Sequence, residues 1–209
     1  NRGSGFSSEP EGPLSIDELA DDVAAVITDL DRGPALVVGL SMGGMIAQRL
    51  ALEHSDMVRG LILAATTCGG RLGELPSPKT LARLLHCCLI RGHIRELIFH
   101  ERTIRERPEL VSEFERLVDE DDRSALGGLA QIMAAATHSA GEELWRITCP
   151  TEIVAGDEDL LIPTINSTFL SKRIPGAELT IVPDAGHGFP VEYPEVLPRL
   201  IHRLYQRCA

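Results

Sequence analysis

Three residue types in this chain could together make a nucleophile: a serine, a histidine and a carboxylate. Ser41 lies in Gly39-Leu40-Ser41-Met42-Gly43, a G-x-S-x-G spacing. A serine hydroxyl attacks poorly until a base takes its proton. That base is usually a histidine held in one tautomer by a carboxylate. His187, in Asp184-Ala185-Gly186-His187-Gly188, is a candidate base. Asp157, Glu158 and Asp159, between Gly156 and Pro163, are candidate carboxylates. Asp184 stands three residues before His187 and could compete, although aspartate also suits the turn itself.

These residues need elements to hold them. Ala35–Leu40 is expected to be a buried strand, its apolar β-type run Ala35–Val38 stopping at Gly39, and a helix is expected from Gly43 to about His54. A sharp strand–turn–helix junction strains the serine backbone and lifts its hydroxyl clear of the sheet. Gly39 and Gly43 leave room for the close approach, and Gly44 lets the helix start near the sheet. The positive end of that helix faces whatever Ser41 attacks.

Upstream, Ser15–Leu30 reads as an amphipathic helix. Ile16, Leu19, Val23, Ile27 and Leu30 share a face, and Ser15 with Glu18 forms a capping box. Gly60–Thr66 reads as a second strand, apolar throughout as strands covered on both faces are. Beyond Pro150, Thr151–Gly156 and Ala177–Val182 are expected strands. Thr164–Arg173 and Pro194–Arg207 are expected helices, with Pro198 near the first turn of the latter. Such alternation predicts an α/β fold with a mostly parallel sheet. The candidate carboxylates and His187 then follow strands at the same carboxyl edge as Ser41, where open α/β sheets place their sites.

Between Gly69 and Ile147 the pattern is helical. One stripe is Leu81, Leu84, Leu85, Cys88 and Leu89; another is Leu110, Val111, Phe114, Leu117 and Val118; a third helix covers Leu126–Ala136. A helical block inserted into a sheet fold is expected to act as a lid. The chain thus divides into a first core part (1–68), a helical cap (69–147) and a second core part (148–209).

The 209 residues carry a net charge of −11 with no offsetting basic run, which argues against nucleic acid or anionic membranes as partners. No stretch is long and apolar enough to span a bilayer. The opening NRGSGFSSEPEGP resembles neither a signal nor a transit peptide. The five cysteines, Cys68, Cys87, Cys88, Cys149 and Cys208, are odd in number and lack metal-ligand spacing. They read as reduced packing thiols of a cytoplasmic protein, with adjacent Cys87 and Cys88 pointing in different directions. Neither a metal nor a cofactor is expected.

Four segments carry a family resemblance: RGSGFS at Arg2–Ser7, GLSMGG at Gly39–Gly44, GDEDLLIP at Gly156–Pro163 and AGHGFPVEYP at Ala185–Pro194. In this order they resemble the α/β-hydrolase superfamily. GLSMGGMIAQ is most similar to its small-molecule esterases, enol-lactonases and cofactor-free haloperoxidase-like members. The resemblance implies Ser41 as nucleophile, His187 as base and Asp159 as the orienting acid. It implies the Met42 backbone N–H as an oxyanion donor. It further implies a small ester or lactone as substrate, with a non-catalytic binding protein or an inactive homologue as the alternative.

One departure stands out. The RG-x-G-x-S segment normally follows the fourth strand of this family, yet here it begins at residue 2. The N-terminal strands, and the His-Gly loop that gives the second oxyanion donor, are therefore expected to be missing. The strand before Ser41 would then be an exposed apolar edge. This predicts a fragment, or a site completed by another chain.

Overall fold

A computed structural model describes residues 1–90, 94–120 and 125–209, except for the side chains of residues 85, 87–90, 119, 120 and 125. Helix α1 (Ile16–Asp29) starts where polar capping dictates. Ser15 Oγ accepts from the Glu18 N–H at 3.1 Å, and Glu18 returns a carboxylate to the Ser15 N–H at 2.9 Å. Ile16, Leu19, Ala20 and Ala24 are its buried face. Arg2 grips Asp22 of this helix through two hydrogen bonds of 2.6 and 2.7 Å, which fastens the N-terminal segment.

Strands β1 (Ala35–Leu40), β2 (Val58–Ala64), β3 (Thr151–Gly156) and β4 (Glu178–Val182) form one sheet in the order β1-β2-β3-β4. All three pairings are parallel. Successive residues of the inner strands feed two cores. Leu61, Leu63 and Ile153 join Leu19 of α1, Leu50 of helix α2 (Met42–Glu53) and Leu170 of helix α8 (Ile165–Arg173). Ile62, Ala64 and Val154 join Leu200 and Leu204 of helix α10 (Val196–Arg207) on the other face. The sheet is thus covered on both sides, and β3 is buried along its whole length. Its Glu152 is fully buried and is held by Arg203 and by Arg207, the latter at 2.7 Å. β1 is an edge of this sheet, and Val38 and Leu40 stay 42% exposed there.

The block between β2 and β3 is helical: α3 (Pro78–Ile90), α4 (Arg95–Ile98), α5 (Glu101–Glu106), α6 (Pro108–Glu120) and α7 (Ala125–Thr137). Phe99 and Phe114 meet edge to face, with ring centres 5.0 Å apart. On α7, Gln131 donates to Arg2 O at 2.8 Å and to Ser4 Oγ at 3.0 Å, docking the insert on the N-terminal segment.

Several expectations shift. β2 spans Val58–Ala64 rather than Gly60–Thr66, and it ends early because Ala65 takes a positive φ of 44°. A short helix α9 (Phe189–Glu192) precedes α10. Leu30 and Leu117, placed on apolar stripes, are 60% and 54% exposed. The side chains of Leu85, Cys87, Cys88 and Leu89 lie outside the described residues. Among those described, no helix is long and apolar enough to cross a membrane.

Candidate active site

Ser41 occupies the junction between β1 and α2 with φ 54° and ψ −120°, a left-handed conformation that a serine adopts only under constraint. The constraint is visible. Ser41 N–H donates to Ala64 O of β2 at 2.9 Å. Ser41 O accepts from Gly44 N at 2.9 Å, from Met45 N at 3.3 Å and from the Thr66 hydroxyl at 2.7 Å. A Cβ on Gly39 would be driven into the Gly43 carbonyl, and one on Gly44 would lie 2.6 Å from Thr66 Cβ. Gly39 and Gly44 therefore permit the close approach. Gly43, expected to share that task, faces open space, since a Cβ there meets nothing within 4 Å. Met42 is the first residue of α2. Its N–H has no acceptor within the helix and belongs to the positive end of the helix dipole.

The loop after β3 carries Asp159, whose side chain is fully buried. Its Oδ1 accepts from Leu161 N at 2.9 Å and Ile162 N at 2.8 Å. Its Oδ2 accepts from His187 Nδ1 at 2.8 Å. That bond leaves Nε2 of a neutral His187 unprotonated, the form able to take a proton.

The competing carboxylates are occupied elsewhere. Asp157 accepts from Ala185 N at 3.2 Å, and Glu158 faces His100 Nε2 at 3.1 Å. Asp184, at a positive φ of 53°, pairs with Arg102 at 3.1 Å. Asp159 and His187 are thus brought together. Ser41 stands at the same carboxyl edge of the parallel sheet, one strand beyond β2. Among the described residues no hydrogen bond joins Ser41 Oγ to the His187 ring. Such bonds often form fully only with substrate in place.

Some contributors were not foreseen from sequence. Thr66 buttresses Ser41 from 25 positions away. Asn166, buried on α8, accepts from Glu74 N at 2.8 Å and donates to Pro163 O at 3.0 Å, tying the start of the insert to the Asp159 loop. Glu192 lies within AGHGFPVEYP, so its segment stood out but its role did not.

Among the described residues no three His, Cys, Asp or Glu side chains are arranged to hold a metal. Burial pushes the Cys68 and Cys149 thiols above their ordinary range, so neither is a ready nucleophile. A hollow of about 270 Å³ lined by Val58, Arg59, Thr148 and Cys149 lies at the opposite edge of the sheet, where β2 and β3 begin.

Known proteins resemble this chain in sequence and in fold. The chain is 32% identical to a poly(3-hydroxyalkanoate) depolymerase of Ectopseudomonas oleovorans, over 98% of this chain and 72% of that protein. It is 29% identical to 3-oxoadipate enol-lactonase 2 of Acinetobacter baylyi, over 99% of this chain and 76% of the relative. Among solved structures, Est816, described as an N-acyl homoserine lactone degrading enzyme, superposes with a TM-score of 0.79. It is 33% identical, over 96% of this chain and 79% of its own. Residues 1–199 match the Alpha/beta hydrolase family as a whole, and the chain belongs to that family of hydrolases.

Proposed function

We propose that the chain is a serine hydrolase of small carboxylic esters or lactones, with Ser41 as nucleophile, His187 as base and Asp159 as orienting acid. The observation that carries this reading is the buried hydrogen bond from His187 Nδ1 to Asp159 Oδ2 at 2.8 Å. It stands at the sheet edge to which the constrained Ser41 also belongs. The names of the relatives support the substrate class: a poly(3-hydroxyalkanoate) depolymerase, an enol-lactonase and an N-acyl homoserine lactone degrading enzyme.

In this mechanism His187 Nε2 accepts the Ser41 proton as Oγ attacks the carbonyl carbon. The carbonyl oxygen becomes an oxyanion facing the Met42 N–H. His187 then donates its proton to the leaving alkoxide, and an acyl-serine remains. Water deprotonated by His187 attacks the acyl-serine, releasing the acid and restoring Ser41. The insert of residues 69–147 acts as the cap. Leu129 and Met133 on α7 and Leu160 beside Asp159 are exposed apolar groups, which suit an apolar acyl chain.

Fluorophosphonate labelling and p-nitrophenyl acetate hydrolysis test the reading against Ser41→Ala and His187→Ala. Labelling confined to Ser41, with both variants inactive, is expected. A Ser41→Ala protein as active as the unaltered chain would overturn the assignment.

A further inference from the structure

The Glu192 carboxylate is 2% exposed and has no role in the mechanism above. A buried carboxylate must find donors, and its two oxygens find them in two different parts of the chain. Oε2 accepts from Gly186 N at 2.8 Å, the peptide nitrogen immediately before His187. Oε1 accepts from His100 N at 2.9 Å, at the start of α5 in the helical insert.

The surrounding contacts converge on the same two segments. Arg107 Nη1 donates to Glu192 O at 2.6 Å, and Gly188 N donates to Ile98 O at 2.7 Å. A Cβ on Gly186 would lie 2.6 Å from Ile98 O and 2.9 Å from His100 N, so the two backbones touch. His187 is thus flanked by two peptide nitrogens, each committed to an acceptor that the insert shares or supplies.

We propose that Glu192 is a positioning residue for His187, holding the imidazole in register with Asp159 and coupling that register to the helical insert. The proposal rests on the serine-hydrolase reading for its catalytic consequence. The physical argument is one of alignment. The 2.8 Å bond to Asp159 requires a fixed ring, and the ring is only as fixed as the peptide that carries it.

The test is Glu192→Gln. The amide has nearly the same shape but one acceptor oxygen, so its NH2 group must oppose one of the two N–H donors. With p-nitrophenyl acetate, kcat is expected to fall roughly ten- to a hundredfold, with KM within about twofold, as for a small misplacement of the reacting groups. The fraction of protein labelled at saturating fluorophosphonate is expected to stay unchanged. In proton NMR, the low-field Nδ1–H signal of His187 is expected to broaden or exchange faster. A loss of activity matched by an equal loss of labelled sites, with the Nδ1–H signal of the remaining folded protein unchanged, would reduce Glu192 to a fold residue and overturn the proposal. So would wild-type kcat and NMR signal together.

Should Glu192→Gln fail to fold, Arg107→Met loosens the same bracket from the insert side. It is expected to lower kcat roughly three- to tenfold with the NMR signal broadened; unchanged values of both would overturn the proposal. If the unaltered chain neither labels nor hydrolyses ester, the hydrolase reading fails alone. The NMR comparison, which needs no turnover, then still decides whether Glu192 positions His187.

Discussion

Asp159→Asn is a substitution whose outcome the hydrogen-bond pattern dictates. Two backbone N–H groups, from Leu161 and Ile162, point at Oδ1. An asparagine must therefore put its carbonyl oxygen there, since the reverse would set an NH2 group against two donors. Its Nδ2 then faces His187 Nδ1, which can no longer donate and must become the acceptor. The imidazole is forced into the Nε2–H tautomer, which cannot take a proton from Ser41. A tautomer error of this kind lowers kcat by about 10⁴ in serine hydrolases, close to 5.5 kcal/mol of barrier. Folding should suffer less, because both backbone N–H groups keep an acceptor. The assay is kcat/KM for p-nitrophenyl acetate beside the fluorophosphonate labelling rate, with urea unfolding as the check on integrity. Asp157→Asn serves as the control, since its carbonyl oxygen can still accept from Ala185 N. A loss under tenfold in folded Asp159→Asn, or an equal loss in Asp157→Asn, would refute the reasoning.

The other predictions concern the elbow and one buried histidine. Thr66→Val removes the hydroxyl that donates to Ser41 O at 2.7 Å; urea titration should find a loss of about 1 kcal/mol, and ester turnover should drop with it. Gly44→Ala should cost about 1–3 kcal/mol, because its Cβ meets the stiff Thr66 side chain at 2.6 Å. Gly43→Ala should be neutral or stabilising by up to about 1 kcal/mol, since open space awaits the methyl and alanine favours a helix. Equal thermal midpoints for these two variants would contradict the packing described. His138 is 5% exposed, and burial followed by the Arg49 charge, against a smaller opposing effect of Asp17, lowers its pKa from 6.5 to about 4. Between those values the unfolded chain binds a proton that the folded chain refuses, so stability should fall as pH drops from 6.5 toward 4 and level off below. At 1.36 kcal/mol per pH unit the loss approaches roughly 3 kcal/mol. His138→Gln should lose that part of the slope in urea midpoints measured at pH 7 and pH 4.5, and an identical slope in both proteins would exclude His138 as its source.

The parts legible in the sequence were those with local causes. The Ser15–Glu18 box and the bounds of β1 and β3 follow from capping chemistry and from apolar runs ended by glycine or proline. Resemblance alone singled out Asp159 from its neighbours, and in the fold Asp159 is the carboxylate bonded to His187. That pairing has a physical reason, for the Asp159 turn offers two N–H donors while Asp157 accepts from Ala185 N. The end of β2 was misread because Ala64, Ala65 and Thr66 are all fully buried, so composition continues where the ladder stops. Leu117 looked buried because helical spacing marks a face without saying whether a neighbour covers it. Helix α9 spans four residues, too few for a period to register. Thr66, Asn166 and Glu192 act across 25 to 92 positions, and nothing in a linear pattern encodes such pairs.

The insert is wired to both ends of the acid–imidazole pair. Its His100 reaches Glu158 beside Asp159, and its Ile98, Arg102 and Arg107 reach Gly188, Asp184 and Glu192 around His187. It is consequently a poor candidate for exchange as a free module. A chimera that imports another relative's helices to change selectivity must either retain residues 98–107 or rebuild their sockets in the recipient. Otherwise the transplant would pull away the contacts that seat the Asp159–His187 hydrogen bond by the same cut.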